Sequence, residues 1–275
     1  MKRRTSLLNA EGFTLIELLV VMSIITILAS MMLPSLGRAK EKGRMTTCIN
    51  NLHQIGICMK MYADDHGDRF PPTQVAELGS KKMKRCRPAL GGFDPAPPWQ
   101  DYYPSAQVRP LYPYMRPSPV YRCPMDKGQR ANACPDPPFK PSNWEAIGCS
   151  YQYNAGALTL LAGGGFRRTP EDAINGIAEK SESWAPSPTY YILMHEPAAR
   201  LYGCIHYQAE WHQWHYAHGA TDIVDPARAR QQFISPVLFV DNHVAVHNFS
   251  RSLTEDPYHP YEPTKDWVWY KPADD

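Results

Sequence analysis

The stretch GFTLIELLVVMSIITILASMMLP, residues 12–34, decides how the chain begins. Between Phe13 and Leu33 only Thr14, Glu17, Ser23, Thr26 and Ser30 are not apolar. As a helix these residues cover about 31 Å at about 1.5 Å per residue, the thickness of a bilayer's hydrocarbon. A secretory signal peptide also starts with basic residues, here Lys2, Arg3 and Arg4. Its apolar core, however, is only about 7–15 residues and stops at a small-x-small cleavage site. This core is longer and runs into Pro34 and LGRAKEKGR, so a membrane span is predicted. Glu17 is the exception inside it. An ionised carboxylate deep in hydrocarbon costs about 2.5–3.5 kcal/mol, so it marks a function with a partner unless it reaches the headgroups or is protonated. The span itself contains no cation.

Beyond Pro34, Met45, Cys48, Ile49, Leu52, Ile55, Met59 and Tyr62 recur at steps of three and four, which continues the helix with one apolar stripe. Gly67 and Pro71-Pro72 end it. Helix from Phe13 to Asp65 would measure about 80 Å if unbroken. The remainder of the 275 residues is long enough for one head domain with a real core. A net charge of +2 is too mild to imply nucleic acid. Basic residues flank the span on both sides, Lys2, Arg3 and Arg4 before it and Arg38, Lys40, Lys42 and Arg44 after it, so charge does not set its orientation.

Residues 70–143 are dense in proline, which forbids regular helix or central strand and predicts turns, extended pieces and short helices. Trp99, Tyr102, Tyr103, Tyr112, Tyr114 and Tyr121 interleave with the prolines. They are read as packing this layer onto the helix, with a glycan platform as the alternative. Strand patterns follow at residues 149–156, 189–196 and 235–249. In the last, 237–240 and 243–246 flank Asp241-Asn242 as a tight hairpin turn. The fold class is therefore α+β, a long N-terminal helix with a small antiparallel-sheet head rich in irregular loops.

Seven cysteines are present. Cys48 falls on the helix stripe and is read as a buried small hydrophobe, and Cys58 is too far round the helix to bridge it. Cys86, Cys123, Cys134, Cys149 and Cys204 are the disulfide candidates if the head is exported, with Cys123, Cys134 and Cys149 the favoured pool. In YQAEWHQWHYAHGATD, residues 207–222, His212, His215 and His218 recur every three residues beside Glu210 and Asp222. With Asp241 and His243, and with His195, Glu196 and His206 nearby, they form a candidate zinc or calcium site; half-buried histidines among tryptophans are the competing reading. Neither HExxH nor a nucleophile elbow occurs, which favours the competing reading. Asp126 after Cys123-Pro124 is read as a loop turn rather than a calcium ligand.

A basic leader ending in Gly12, then Phe13-Thr14-Leu15-Ile16-Glu17 and an apolar run closed by Pro34, resembles the N-terminus of type IV prepilins and type II secretion pseudopilins. The resemblance implies that a prepilin peptidase cuts after Gly12 and methylates Phe13. Glu17 would then pair with the N-terminal amine of a neighbouring subunit, a cation made by the cut itself. It also implies a leader over 1–12, a pilin helix over 13–67 with its transmembrane part at about 13–36, and a head over 68–275 outside the cytoplasmic membrane. The partners implied are other pilin or pseudopilin subunits, the peptidase and a secretion or pilus assembly platform. The chain is expected to be a structural filament subunit, the alternative being a glycan- or metal-binding module exported the same way.

Further residues resemble the pseudopilin-like proteins of planctomycete and verrucomicrobial relatives. They are Cys48, Asn50-Asn51-Leu52, Gln54-Ile55-Gly56, Cys123-Pro124 with Asp126, Tyr151 with Tyr153-Asn154, and Leu238-Phe239 with Asp241 and His243. Many of those carry a histidine, nine residues and Asp-Gly before the last strand. Here Gln231 and Asn242 stand at those places, and His215 or His218 is the available substitute.

Overall fold

The computed structural model describes residues 14–72, 76–78, 81–83, 89–97, 99–101, 103–126, 128, 142–154, 159–161, 165–167, 176–196, 215, 234–249, 264–269 and 271. Two compact units divide the chain, one ending at Lys42 and the other beginning at Gly43. One helix, α1 (Leu15–Asp65), runs through both with Pro34 inside it. Proline has no N–H to give the carbonyl four residues back, so it leaves Ser30's carbonyl without its helical donor.

In the second unit α1 turns Cys48, Leu52, Ile55 and Met59 into the core and leaves Ile57 and Met61 outside, the stripe that the spacing predicts. They pack with Phe70, Leu111, Tyr121, Tyr151, Leu193 and Leu238 in one cluster. The helix ends at Gly67 and Asp68, both left-handed, with φ of 66° and 59°.

The remaining elements, in chain order, are β1 (Ala76–Leu78), β2 (Lys81–Met83), the helix α2 (Asn143–Ile147), β3 (Gln152–Tyr153), β4 (Thr159–Leu161), β5 (Gly165–Arg167), β6 (Ile192–His195), β7 (Ile234–Phe239) and β8 (Val244–Asn248). The main sheet has the order β3-β6-β7-β8 and is antiparallel throughout, while β1-β2 and β4-β5 are separate hairpins. Residues 191–195 and 237–240 are buried without alternation, as expected of strands covered on both faces.

The β7–β8 hairpin forms where predicted, but its turn is longer by one residue. Phe239 N–H donates to His243 O at 3.0 Å, so Val240, Asp241 and Asn242 make the loop rather than Asp241-Asn242 alone. Asn242 takes φ of 74°, the left-handed place that closes a three-residue loop and that asparagine tolerates. The hairpin meets α1 at Gly56, where an added Cβ would lie 1.9 Å from Asn242 Oδ1 and 2.9 Å from Leu238 Cδ1.

The proline-rich layer holds three single-turn 3-10 helices, Trp99–Asp101, Ala106–Val108 and Pro119–Tyr121. The aromatic residues pack, but not all onto α1: Tyr121 and Tyr114 join the α1 core, Trp99 and Tyr103 pack with Ala146 and Ile147 of α2, Tyr112 is half-buried, and Tyr102 lies outside the described residues. Arg109, buried to 1% exposure, is the tie at the centre. Its guanidinium donates to Gly91 O at 2.6 Å, Ile147 O at 2.9 Å and Pro104 O at 3.2 Å, satisfying carbonyls that irregular backbone cannot pair. Beside it Gly148, with φ of 77°, ends α2 so close to Phe93 that a Cβ there would sit 1.9 Å from Phe93 O. Asp126 is a loop organiser, as predicted. Its carboxylate accepts from Gly128, Asn143 and Trp144 N–H and from Ser150 Oγ, which joins the loop to the first turn of α2.

Candidate functional site

The first unit presents the start of α1. Glu17 Oε2 accepts from Thr14 N–H at 2.9 Å and from Thr14 Oγ1 at 2.6 Å, and Thr14 Oγ1 accepts Glu17 N–H at 3.3 Å. This is a reciprocal capping box, T-x-x-E, a role for Glu17 that the sequence reading missed although the spacing announces it. Both bonds from Thr14 fall on one carboxylate oxygen. The hydroxyls of Ser23, Thr26, Ser30 and Ser35 donate to Leu19, Met22, Ile27 and Met32 carbonyls within the helix. Such back-bonding lets polar side chains enter a hydrocarbon medium at little cost. The large apolar side chains from Leu15 to Leu36 are 46–78% exposed, and the most apolar window has mean hydropathy 2.4 with no residue buried within the chain. By length and composition this helix can cross a membrane. Gly12 and Phe13, the residues at which processing is expected, lie outside the described residues.

The second unit holds a cluster assembled from four distant places in the chain. Cys48 comes from the buried stripe of α1. Cys123 follows the Pro119–Tyr121 turn in a tight loop in which Met125 N–H points at its sulfur at 3.3 Å. Glu196 follows β6, whose last residue His195 is paired on both sides, with Gln152 and Val237. His215 forms an antiparallel bridge with Ile234 at the start of β7. The two Sγ atoms are 2.7 Å apart, His215 Nε2 lies 3.5 Å from Cys123 Sγ and 2.8 Å from Glu196 Oε2, and the four ligand atoms all lie within 4.8 Å of one another. No member exceeds 1% exposure.

The electrostatics follow from burial and mutual contact. Cys48 is held below the usual thiol value, first by its contact with Cys123. Cys123 is pushed well up by burial and by that same contact. Burial works against a charged His215, but Glu196's carboxylate and the contact with Cys48 raise it to about 10. Tyr151 lies over the cluster, accepts from Asn51 Nδ2 at 3.1 Å and is pushed well up by burial. The result is a sealed pocket of two sulfurs, an imidazole and a carboxylate, suited to ligation.

Of the described residues that the sequence proposes as a metal site, the structure brings together His215 and Glu196. Asp241 and His243 pair with each other at 2.6 Å on the half-exposed β7–β8 turn, apart from the buried group. His206, Glu210, His212, His218 and Asp222 lie outside the described residues, as do Cys86, Cys134 and Cys204. Cys48 is a correction. It is buried, as expected, but it faces Cys123 across the core instead of serving only as a small hydrophobe. Of the favoured disulfide pool, Cys123 and Cys149 are not bridged to each other, the Cys149 thiol donating to Tyr151 O at 3.2 Å, and Cys134 lies outside the described residues.

Comparison with known proteins places both regions. A family described as protein of unknown function (DUF1559) matches residues 37–176, about half of the chain. The prokaryotic N-terminal methylation motif matches residues 7–33. The chain is similar to the type IV wide pilus major component PilA4 of Thermus thermophilus, 41% identical over 75 residues, which cover 26% of this chain and 56% of that protein. It is similar to the type II secretion system core protein G of Aeromonas hydrophila, 37% identical over 110 residues, 37% of this chain and 73% of that protein. The core protein G of Pectobacterium carotovorum is 35% identical over 64 residues, 23% of this chain and 40% of that protein. No solved structure matches the chain.

Proposed function

The chain belongs to the DUF1559 family and to the pilin-like proteins that carry the N-terminal methylation motif, and from this premise we propose that it is a non-catalytic filament subunit. A membrane-anchoring helix follows from that membership and from the apolar start of α1. In the proposal, peptidase action after Gly12 frees and methylates the amine of Phe13. The anchor then sits in the cytoplasmic membrane with the head outside, and copies assemble through α1 into a type II secretion pseudopilus or a type IV pilus-like filament.

The observation that carries the proposal is an apolar helix surface, exposed on every side within its own chain, interrupted by one acid. Such a surface calls for lipid or other helices around it. Glu17 then works in two ways. One oxygen caps the helix through Thr14, and the other meets a neighbour's N-terminal amine, so that two groups each costly in hydrocarbon neutralise one another only in the right axial register.

Glu17→Gln keeps the capping geometry, since an amide oxygen still accepts from Thr14, but removes the charge. Co-expressed tagged and untagged copies should co-purify from membranes for the wild type and lose that association at least about tenfold in the variant. Undiminished association would remove Glu17 from assembly.

A further inference from the structure

We propose that Cys48, Cys123, Glu196 and His215 form a buried tetrahedral site for one divalent metal ion, zinc by the chemistry of its ligands. The site is independent of filament assembly, because all four residues belong to the unit that begins at Gly43.

Four observations converge. The ligand set is the first: two sulfurs, one imidazole nitrogen and one carboxylate oxygen, a complement that soft thiolates tilt toward zinc and away from calcium or magnesium. The second is hydrogen-bonding capacity left unmet. Among the described residues neither oxygen of Glu196 receives a hydrogen bond, and neither does His215 Nδ1, though all three atoms are fully buried. Glu196 Oε2 lies 2.8 Å from His215 Nε2, at ion-pair distance. One imidazole offsets only part of the cost of burying a carboxylate whose oxygens receive no hydrogen bond, and a bound cation would offset more of it.

Geometry is the third. Zinc–sulfur bonds of about 2.3 Å and zinc–nitrogen bonds of about 2.0–2.1 Å put tetrahedral ligands about 3.5 Å apart for a sulfur–nitrogen edge. Cys123 Sγ and His215 Nε2 are 3.5 Å apart. The two sulfurs, at 2.7 Å, would separate by about 1 Å, and His215 Nε2 and Glu196 Oε2, at 2.8 Å, by about 0.5 Å to admit the ion, shifts within reach of side-chain rotation. Fourth, Met125 N–H is aimed at Cys123 Sγ from two residues on, the kind of outer contact that stabilises a ligating thiolate.

Binding releases to solvent the protons of the two thiols and the proton held on His215 Nε2, and changes no oxidation state. The ion would tie α1, the loop after Pro119–Tyr121, the end of β6 and the segment paired to the start of β7 into one knot, which gives it a structural role. The four ligands lie at 48, 123, 196 and 215, with no open face for substrate among the described residues.

The test is elemental analysis of the full chain, purified from membranes in detergent without added metal, together with thiol mapping by mass spectrometry under non-reducing conditions. One zinc per chain with Cys48 and Cys123 unbridged supports the site. Replacement by cobalt should then give the intense thiolate-to-cobalt absorption of a tetrahedral two-sulfur site. Glu196→Gln, close to isosteric, should weaken zinc binding at least about tenfold against a competing chelator. Should Cys48→Ser fail to fold, the cobalt spectrum of the wild type still decides. A metal-free chain with a Cys48–Cys123 disulfide overturns the proposal. So does a chain with free thiols that takes up no added zinc, or zinc retained undiminished in Glu196→Gln.

Discussion

The two halves of α1 are one helix by backbone and two by surface. From Leu15 to Leu36 its apolar side chains stand exposed all round, and its hydroxyls bond back to their own helix. From Cys48 to Ala63 one apolar stripe is buried, and Ile57 and Met61 stand outside it. A helix with a partner inside its own chain needs one apolar face; a helix that is apolar on every side needs its surroundings supplied from outside. The difference divides anchoring and assembly from folding along a single element.

If this division holds, truncations in the two halves should differ most of all. Leu52→Ala or Ile55→Ala removes a fully buried side chain and should cost about 2–5 kcal/mol in denaturation of the full chain in detergent. Leu19→Ala, on the exposed half, should stay within about 0.5 kcal/mol. Equal losses in both halves would break the comparison.

A smaller effect sharpens it within the buried half. At Gly56 an added methyl meets Asn242 Oδ1, the end of a side chain that can rotate away. Gly56→Ala should therefore cost only about 1–3 kcal/mol, and Asn242→Gly should recover part of the loss. Gly148→Ala meets Phe93 backbone and strains a left-handed residue, so no side-chain change should rescue it. Thermal midpoints of the single and double variants would show whether the helix–hairpin contact is as close as the structure has it.

The smallest expected effect is on pH. Burial holds His247 below the ordinary histidine value, with Asp266 opposing and His243 adding to the shift. Phe239, Phe249 and Trp267 rings surround it. Because the unfolded chain then binds the proton more readily, the stability that His247 contributes is present above about pH 6.5 and is lost as pH falls through its folded value. Wild type should lose stability on acidification more steeply than His247→Gln; parallel slopes would remove His247 from the effect.

Patterns that repeat along the chain were readable from the sequence. Steps of three and four gave α1 and its stripe, and the strand-like runs flanking Asp241-Asn242 gave the β7–β8 hairpin, misplaced by one turn residue because asparagine at positive φ serves both loop lengths. The capping role of Glu17 was present as Thr14-x-x-Glu17 but was overshadowed by the question of a charge in hydrocarbon. The buried cluster was only half readable. His215 and Glu196 stood among the candidate ligands, but Cys48 fitted the helix stripe so well that packing explained it. Cys123 lies 75 residues from Cys48, with no C-x-x-C spacing to announce a shared site. Ligands brought together by tertiary folding leave no period in a sequence; a helix does.

The central claim is that an amine created by proteolysis answers Glu17, and the mass of the intact chain extracted from its native membrane tests it most directly. The account predicts a polypeptide that begins at Phe13 and carries one added methyl group there. A chain that still retains residues 1–12 would contradict it.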